Sequence, residues 1–393
     1  MHRYDYLIIG GGMTADAAAR GIRERDPKRS LGIISADPHP PYNRPPLTKG
    51  LWKGDAPESV WRHTDETGAK LHVGRRATKI DTALRRVTDD QREEYSYHRL
   101  LLATGGEPRR LPNSPDGVIY YRTLDDYRKT RLLVDHGARF VVLGGGFIGS
   151  EIAAALRMQG RDVTVIVPEQ GIGARVFPAD LAKFVADYYR EKGVVVHLGD
   201  SVDRIEPSAG RYRVRAKNAG AIETDAVIAG LGIVPSVELA EQAGLKVDNG
   251  IIVDDRLRTA QPEIFAAGDV AQFTNAALGK RMRVEHEDNA NTMGKIAGQN
   301  MAGADVAYDH LPFFYSDLFD LGYEAVGEVD ARHQTVADWK QEFREGVVYY
   351  LDRARVRGVL LWNTWGQVDA ARALIAEPGP FTPEKLKGRL PVS

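Results

Sequence analysis

Two glycine turns built on one grammar constrain the fold of this 393-residue chain more than any other feature. The first follows a short apolar run, Tyr6-Leu7-Ile8-Ile9. It reads Gly10-Gly11-Gly12-Met13-Thr14-Ala15, then a helix-like stretch from Ala17 to Arg25, a second apolar run Leu31-Gly32-Ile33-Ile34, and Asp37. The second reads Phe140-Val141-Val142-Leu143, Gly144-x-Gly146-x-x-Gly149, a helix from Ser150 to about Gln159, a strand from Val163 to Val167, and Glu169. The leading glycine, Gly10 or Gly144, permits a tight turn. Gly12 or Gly146 lets the backbone approach a pyrophosphate, and the small Ala15 or Gly149 lets the helix pack closely on the strand. The helix start then presents unpaired N–H groups and a positive dipole end to phosphates. One such turn is a weak signal; two in the full strand–turn–helix–strand–acid context are strong. Two dinucleotide sites in one chain imply two dinucleotides exchanging a hydride. Asp37 and Glu169 are the expected ribose acceptors. Glu169 would repel a 2′-phosphate and favour NADH over NADPH, whereas Arg175 close by works against that preference.

The chain contains no cysteine, which excludes disulfides, thiolate metal sites, CxxC redox pairs and a sulfenic-acid intermediate. No metal site is expected. The length suggests two or three domains. A net charge of −1 and a pI near 6.8 provide no basic footprint for nucleic acid. Basic runs at Arg20 to Arg29 and at Arg109 and Arg110 read as solvated faces, or as docking ground for an acidic partner. No apolar stretch approaches the ~20 residues that cross a bilayer. The chain runs almost at once into an apolar strand, so no signal peptide is expected and cytoplasmic residence is the default.

Further motifs carry a resemblance that spans about residues 4 to 375. Pro41-Tyr42-Asn43-Arg44-Pro45-Pro46-Leu47-Thr48-Lys49 resembles a flavin loop, and Leu101-Leu102-Ala103-Thr104-Gly105-Gly106 a strand-to-crossover motif. Ile264-Phe265-Ala266-Ala267-Gly268-Asp269 resembles a second flavin motif; Val284-Glu285-His286 and Phe313-Phe314-Tyr315-Ser316-Asp317 complete the set. The chain resembles the two-dinucleotide flavoprotein reductases, in the branch of ferredoxin and rubredoxin reductases, monodehydroascorbate reductase and apoptosis-inducing factor. His286 stands where ferredoxin reductases usually carry tryptophan, which leaves a ferredoxin partner less assured. The resemblance implies an α/β fold with two Rossmann-like domains and a C-terminal α+β domain. FAD would occupy residues 1–113 completed by 239–310, NADH residues 114–238, and an interface domain would span 311–393. The periodicity agrees for the last part: Gly322 to Val329, Gly346 to Leu351 and Val356 to Leu361 read as antiparallel strands, followed by a helix near Val368 to Ile375.

The same resemblance implies the site. For FAD it points to Gly10, Gly12, Thr14, Ala15, Asp37, Arg44, Lys49, Ala77, Thr104, Gly105, Arg122, Gly268, Asp269, Glu285, His286 and Tyr315. For NADH it points to Gly144, Gly146, Phe147, Ile148, Gly149, Glu151, Glu169, Arg175, Gly232 and Glu324. Asp269 would hold the ribityl chain, Arg44 the flavin phosphates and Arg122 the adenosine half. Lys49 is placed beside flavin N5, with Glu151 as its partner in a charge pair that links the two nucleotide sites. A helix from about His286 to Ala302 would aim its positive end at flavin N1 and O2. Lys49, Glu151 and His286 are the catalytic candidates, His286 more as a contact than as a proton donor, and Tyr315 would cover the rings. The expected activity is reduction of FAD by NADH and electron transfer, without thiols, to a ferredoxin-like carrier, a quinone or a small radical. The alternative is a regulator like apoptosis-inducing factor, in which NADH forms a lasting charge-transfer complex and changes self-association. Monomer and homodimer both stay open.

Overall fold

A computed structural model describes residues 1–390. It separates into two compact units, and both are discontinuous in sequence. The first comprises Met1–Arg44, Pro57–Glu107 and Val234–Pro312; the second comprises Pro45–Ala56, Pro108–Ile233 and the chain from Phe313. The expected interface domain, 311–393, ends in three residues outside the described range.

The first unit is organised by a twisted sheet. Strands Lys70–His72, Leu31–Ile34, His2–Ile9, Glu94–Leu102 and Ile264–Ala266 lie parallel in that order. Antiparallel strands Arg86–Asp89 and Ala77–Asp81 extend the sheet beside the N-terminal half of Glu94–Leu102. Leu7, Ile8, Leu100, Leu101 and Phe265 are wholly buried, as parallel strands covered on both faces require. Helix Met13–Arg25 packs against helix Glu287–Met301 through small residues. A Cβ on Gly294 would stand 2.5 Å from Thr14 O, and one on Gly298 2.1 Å from Ala18 O, so only glycine allows this approach.

The second unit repeats the parallel plan with strands Val195–Leu198, Val163–Val167, Phe140–Leu143 and Ala226–Ala229. Helices Leu124–Asp135, Phe147–Met158 and Ala179–Glu191 belong to it. A five-stranded antiparallel sheet follows in the order Phe313–Leu318, Leu321–Gly327, Arg355–Trp362, Glu345–Asp352 and Gln334–Gln341, with helix Val368–Ala376 behind it. Three of these strands and the helix match the sequence reading to within a few residues. Phe313–Leu318 and Gln334–Gln341 are additional. Among the described residues no helix is long and apolar enough to cross a membrane.

Candidate functional site

In the first unit, Gly10 sits at φ +118°, and a Cβ there would lie 2.0 Å from Ala103 O. Gly12 caps helix Met13–Arg25 without any side-chain cap, and a Cβ on it would meet no protein atom within 4 Å. The helix start is therefore open beside Gly12, which leaves room for a pyrophosphate at its positive end. Gly268 comes from far along the chain to the same turn: at φ +77°, a Cβ would stand 2.2 Å from Thr14 Oγ1. Gly10, Gly12, Thr14, Ala15 and Gly268-Asp269 thus converge. The Asp37 carboxylate accepts from the His39 N–H at 3.0 Å and the Tyr42 hydroxyl at 3.0 Å, which fixes its direction at the strand end. Thr104 Oγ1 donates to Ser236 O at 2.8 Å, and Gly105 O accepts from Ser236 N–H at 3.0 Å. Arg44 and Ala77 are half-buried.

Two residues that sequence reasoning missed hold this half together. Arg62 donates through Nε to Asp16 at 2.8 Å, through Nη1 to Asn43 Oδ1 at 2.7 Å and through Nη2 to Asn291 Oδ1 at 2.9 Å. One guanidinium therefore ties the loop before Arg44 to both packed helices. Arg283 donates to Asp269 O at 2.9 Å and pairs with Glu285 at 2.6 Å. Arg20 and Arg23, from the basic run, are spent on Asp16 and on backbone carbonyls. His286 caps helix Glu287–Met301. Burial pushes its imidazolium down to about 4, against the pull of Asp269 and Asp288, so the ring is neutral near pH 7. A neutral ring suits a contact residue and not a proton donor.

The second unit carries the matching turn. Gly144 is at φ +99°, with Gly230 O 2.5 Å from where its Cβ would be, and a Cβ on Gly149 would meet Gly144 O at 2.0 Å. Gly146, like Gly12, caps its helix without side-chain help and opens onto space free of protein atoms within 4 Å. Phe147 packs edge-on against Phe314 at 5.0 Å, while Ile148 stays partly exposed. Glu169 pairs with Arg175 at 2.8 Å, the arginine being largely in solvent. Gly232 lies at φ +82°. Arg122 falls in this unit, at the start of helix Leu124–Asp135, where its backbone N–H donates to Asp126. Glu324 stands directly across the sheet from Tyr315. Its Oε2 is buried without a hydrogen-bond partner among the described residues, and burial raises its carboxyl pKa. Such an acceptor calls for an N–H donor, which a nicotinamide carboxamide would supply.

Lys49 Nζ lies 2.7 Å from Glu151 Oε2, both side chains being buried or nearly so. The same oxygen accepts from Thr48 Oγ1 at 2.5 Å, and Oε1 accepts from Ser316 Oγ at 2.6 Å. The Lys49 ammonium also stands 5.1 Å from the centre of the Tyr315 ring. The proline-rich loop is anchored just before it, because the Tyr121 hydroxyl and Trp52 Nε1 both donate to Leu47 O. Thr48 and Ser316 lie inside motifs the sequence marked, but neither was assigned a role there. Their only signal was adjacency to Lys49 and to Tyr315.

The two uncapped glycine cradles and the orphaned Glu324 oxygen fit FAD and NADH as bound groups. Residues 4–294 match the model of the pyridine nucleotide-disulphide oxidoreductase family, and residues 297–341 and 337–377 match that of the mitochondrion-associated C-terminal part of apoptosis-inducing factor. The chain is similar to mitochondrial apoptosis-inducing factor 1 of Dictyostelium discoideum, at 35% identity over 421 residues, covering 95% of this chain and 79% of that protein. It is also similar to the ferredoxin–NAD(+) reductase component of the anthranilate 1,2-dioxygenase system of Burkholderia cepacia, at 34% identity over 392 residues, covering 97% and 96%. Putidaredoxin reductase, solved in covalent complex with putidaredoxin, has a TM-score of 0.91 at 28% identity, covering 98% of this chain and 95% of that one. The chain belongs to the pyridine nucleotide-disulphide oxidoreductase family and is an FAD-dependent oxidoreductase that draws electrons from NADH. Having no cysteine, it lacks the disulphide of that name.

Proposed function

We propose that the chain passes electrons from NADH to a small ferredoxin-like carrier. The observation that carries this reading is the pairing of two dinucleotide cradles with a complete absence of thiols, so that electrons leave the cofactor directly. The relatives that are ferredoxin reductases supply the class of acceptor. FAD is assigned to residues 1–113 with 239–310, NADH to 114–238, and the acceptor-facing role to the C-terminal sheet. FAD, held by these residues, would supply the chemistry that links a two-electron donor to a one-electron carrier. The chain holds each pyrophosphate on an uncapped helix start, holds the FAD ribose through Asp37 and the NADH ribose through Glu169, and supplies through Lys49 a fixed positive charge that Glu151 keeps in place. His286, neutral near pH 7, orients without giving up a proton.

Stopped-flow reduction by NADH followed by reoxidation with ferredoxin, quinone or oxygen tests the reading. Ferredoxin should reoxidise the protein far faster than oxygen does; equal rates would remove the carrier from the account. A second reading rests on the match of residues 297–377 to the apoptosis-inducing-factor C-terminal model. In it, reoxidation is slow with every acceptor and NADH changes self-association, which light scattering would detect.

A further inference from the structure

We infer that Ser316 is a positioning residue for the Lys49–Glu151 pair, and that the hairpin Phe313–Gly327 exists in part to set that pair. The inference rests on the reading that the pair supplies the charge used in NADH oxidation. Glu151 is an acceptor-only group when ionised, and its two oxygens receive three donors from two other segments of the chain. Lys49 and Thr48 both act on Oε2, and neighbours in sequence move together. Ser316 alone, among the described residues, donates to Oε1. Without it the carboxylate can turn about its last torsion, a broad two-fold rotor, and carry the ammonium with it. Ser316 is wholly buried and its acceptor Glu151 nearly so, and water does not replace the lost donor easily.

The hairpin grips the Glu151 helix a second time. At its tip Phe319, in the left-handed region at φ +63°, packs edge-on against Tyr189 at 5.0 Å. Tyr189 in turn donates its hydroxyl to Ser150 O at 2.9 Å, the carbonyl that precedes Glu151. Asp320 pairs with Lys192 at 2.8 Å and accepts from the Tyr188 hydroxyl, which locks the tip to the end of helix Ala179–Glu191. Between tip and start, Tyr315 lies against the Lys49 ammonium and Asp317 pairs with Lys53 at 2.6 Å. Three successive residues of one strand therefore touch the segment 49–53 or its partner acid.

The test compares Ser316→Ala, Ser316→Thr and Glu151→Gln, each alone, and Ser316→Ala combined with Glu151→Gln, in FAD-loaded protein. Ser316→Ala should lower the saturating rate of flavin reduction at least fivefold with the NADH dissociation constant within twofold of wild type. It should also move the flavin midpoint potential in the direction that Glu151→Gln moves it. Ser316→Thr, which keeps the hydroxyl, should restore both, and Ser316→Ala should add nothing on the Glu151→Gln background. Wild-type rate and potential in Ser316→Ala, with Glu151→Gln impaired, would overturn the inference and leave the function standing. Equal impairment in the alanine and threonine variants, or fully additive losses, would overturn it as well by showing a packing effect. If Glu151→Gln is itself unimpaired, the proposed role of the charge pair fails first.

Discussion

Glu151 and Lys49 are joined at 2.7 Å although 102 positions and six strands separate them along the chain, and neither is more than marginally in contact with solvent. Breaking a buried pair by removing one partner leaves an uncompensated charge. Lys49→Ala should slow flavin reduction roughly 100-fold, the usual loss for one fixed electrostatic group, with FAD content retained. Glu151→Ala should slow it similarly and lower unfolding stability by about 3 kcal/mol. The double variant should be little worse than either single one. Rapid-mixing absorbance in the flavin band measures the rates, and a wild-type rate in Lys49→Ala ends the role proposed for the pair.

Gly12 and Gly146 separate folding from binding. Both have backbone angles that any residue adopts, and a Cβ on either meets no protein atom within 4 Å. Gly12→Val should leave the melting temperature of FAD-free protein unchanged while weakening FAD binding at least tenfold. Gly146→Val should do the same for NADH and spare FAD. The wild-type protein should be yellow, with one FAD per chain released by acid precipitation. Gly10→Val is the contrasting case, because the clash with Ala103 O should abolish folding. A Gly12→Val protein that keeps full FAD affinity would move the pyrophosphate elsewhere.

On the proposed reading, nucleotide choice turns on Glu169. A lost bidentate contact plus a like charge against a 2′-phosphate is worth about 2–4 kcal/mol, or roughly 30- to 1000-fold in kcat/KM in favour of NADH. Arg175 is held to Glu169 at 2.8 Å but is mostly in solvent, so its hold is weak. Glu169→Ala should free Arg175 for the phosphate and narrow the ratio. An unchanged ratio would take Glu169 out of the account.

His286 makes stability depend on pH. The unfolded chain takes up a proton on this ring near pH 6.5, the folded chain only near 4. Its contribution is therefore complete above pH 6.5 and is lost as the pH falls through that window, by about 2 kcal/mol between pH 7 and 5. Urea midpoints at both pH values, with FAD in fixed excess, should show a smaller drop for His286→Asn than for wild type. Equal drops would assign the acid sensitivity to other groups.

Much of the fold was legible because it is local. Strands Leu31–Ile34, Phe140–Leu143 and Val163–Val167 are continuous β-branched or apolar runs, and each ends at a turn signal. The helices begin earlier than the sequence reading placed them, at Met13 and Phe147, because the glycine before each serves as its cap. Gln334–Gln341 escaped notice as an edge strand whose polar and charged residues break the alternation. Within the site, residue types tied to a motif were legible: Lys49, Glu151, Asp269 and the glycines. The roles of Ser316, Thr48, Arg62 and Arg283 were not, because each acts through partners distant in sequence, and a lone serine or arginine carries no periodic signal.

The packing of Met13–Arg25 on Glu287–Met301 has a consequence for the order in which the molecule is made. During synthesis the first glycine turn leaves the ribosome early, but the glycines that close on it, Gly294 and Gly298, and the Asn291 that Arg62 holds, arrive only after the whole segment 108–233 of the second unit. The nascent first unit must therefore wait with its apolar helix face uncovered while the later insert is translated. Chains truncated before residue 301 should be captured by chaperones and bind no FAD, whatever the quality of their first glycine turn.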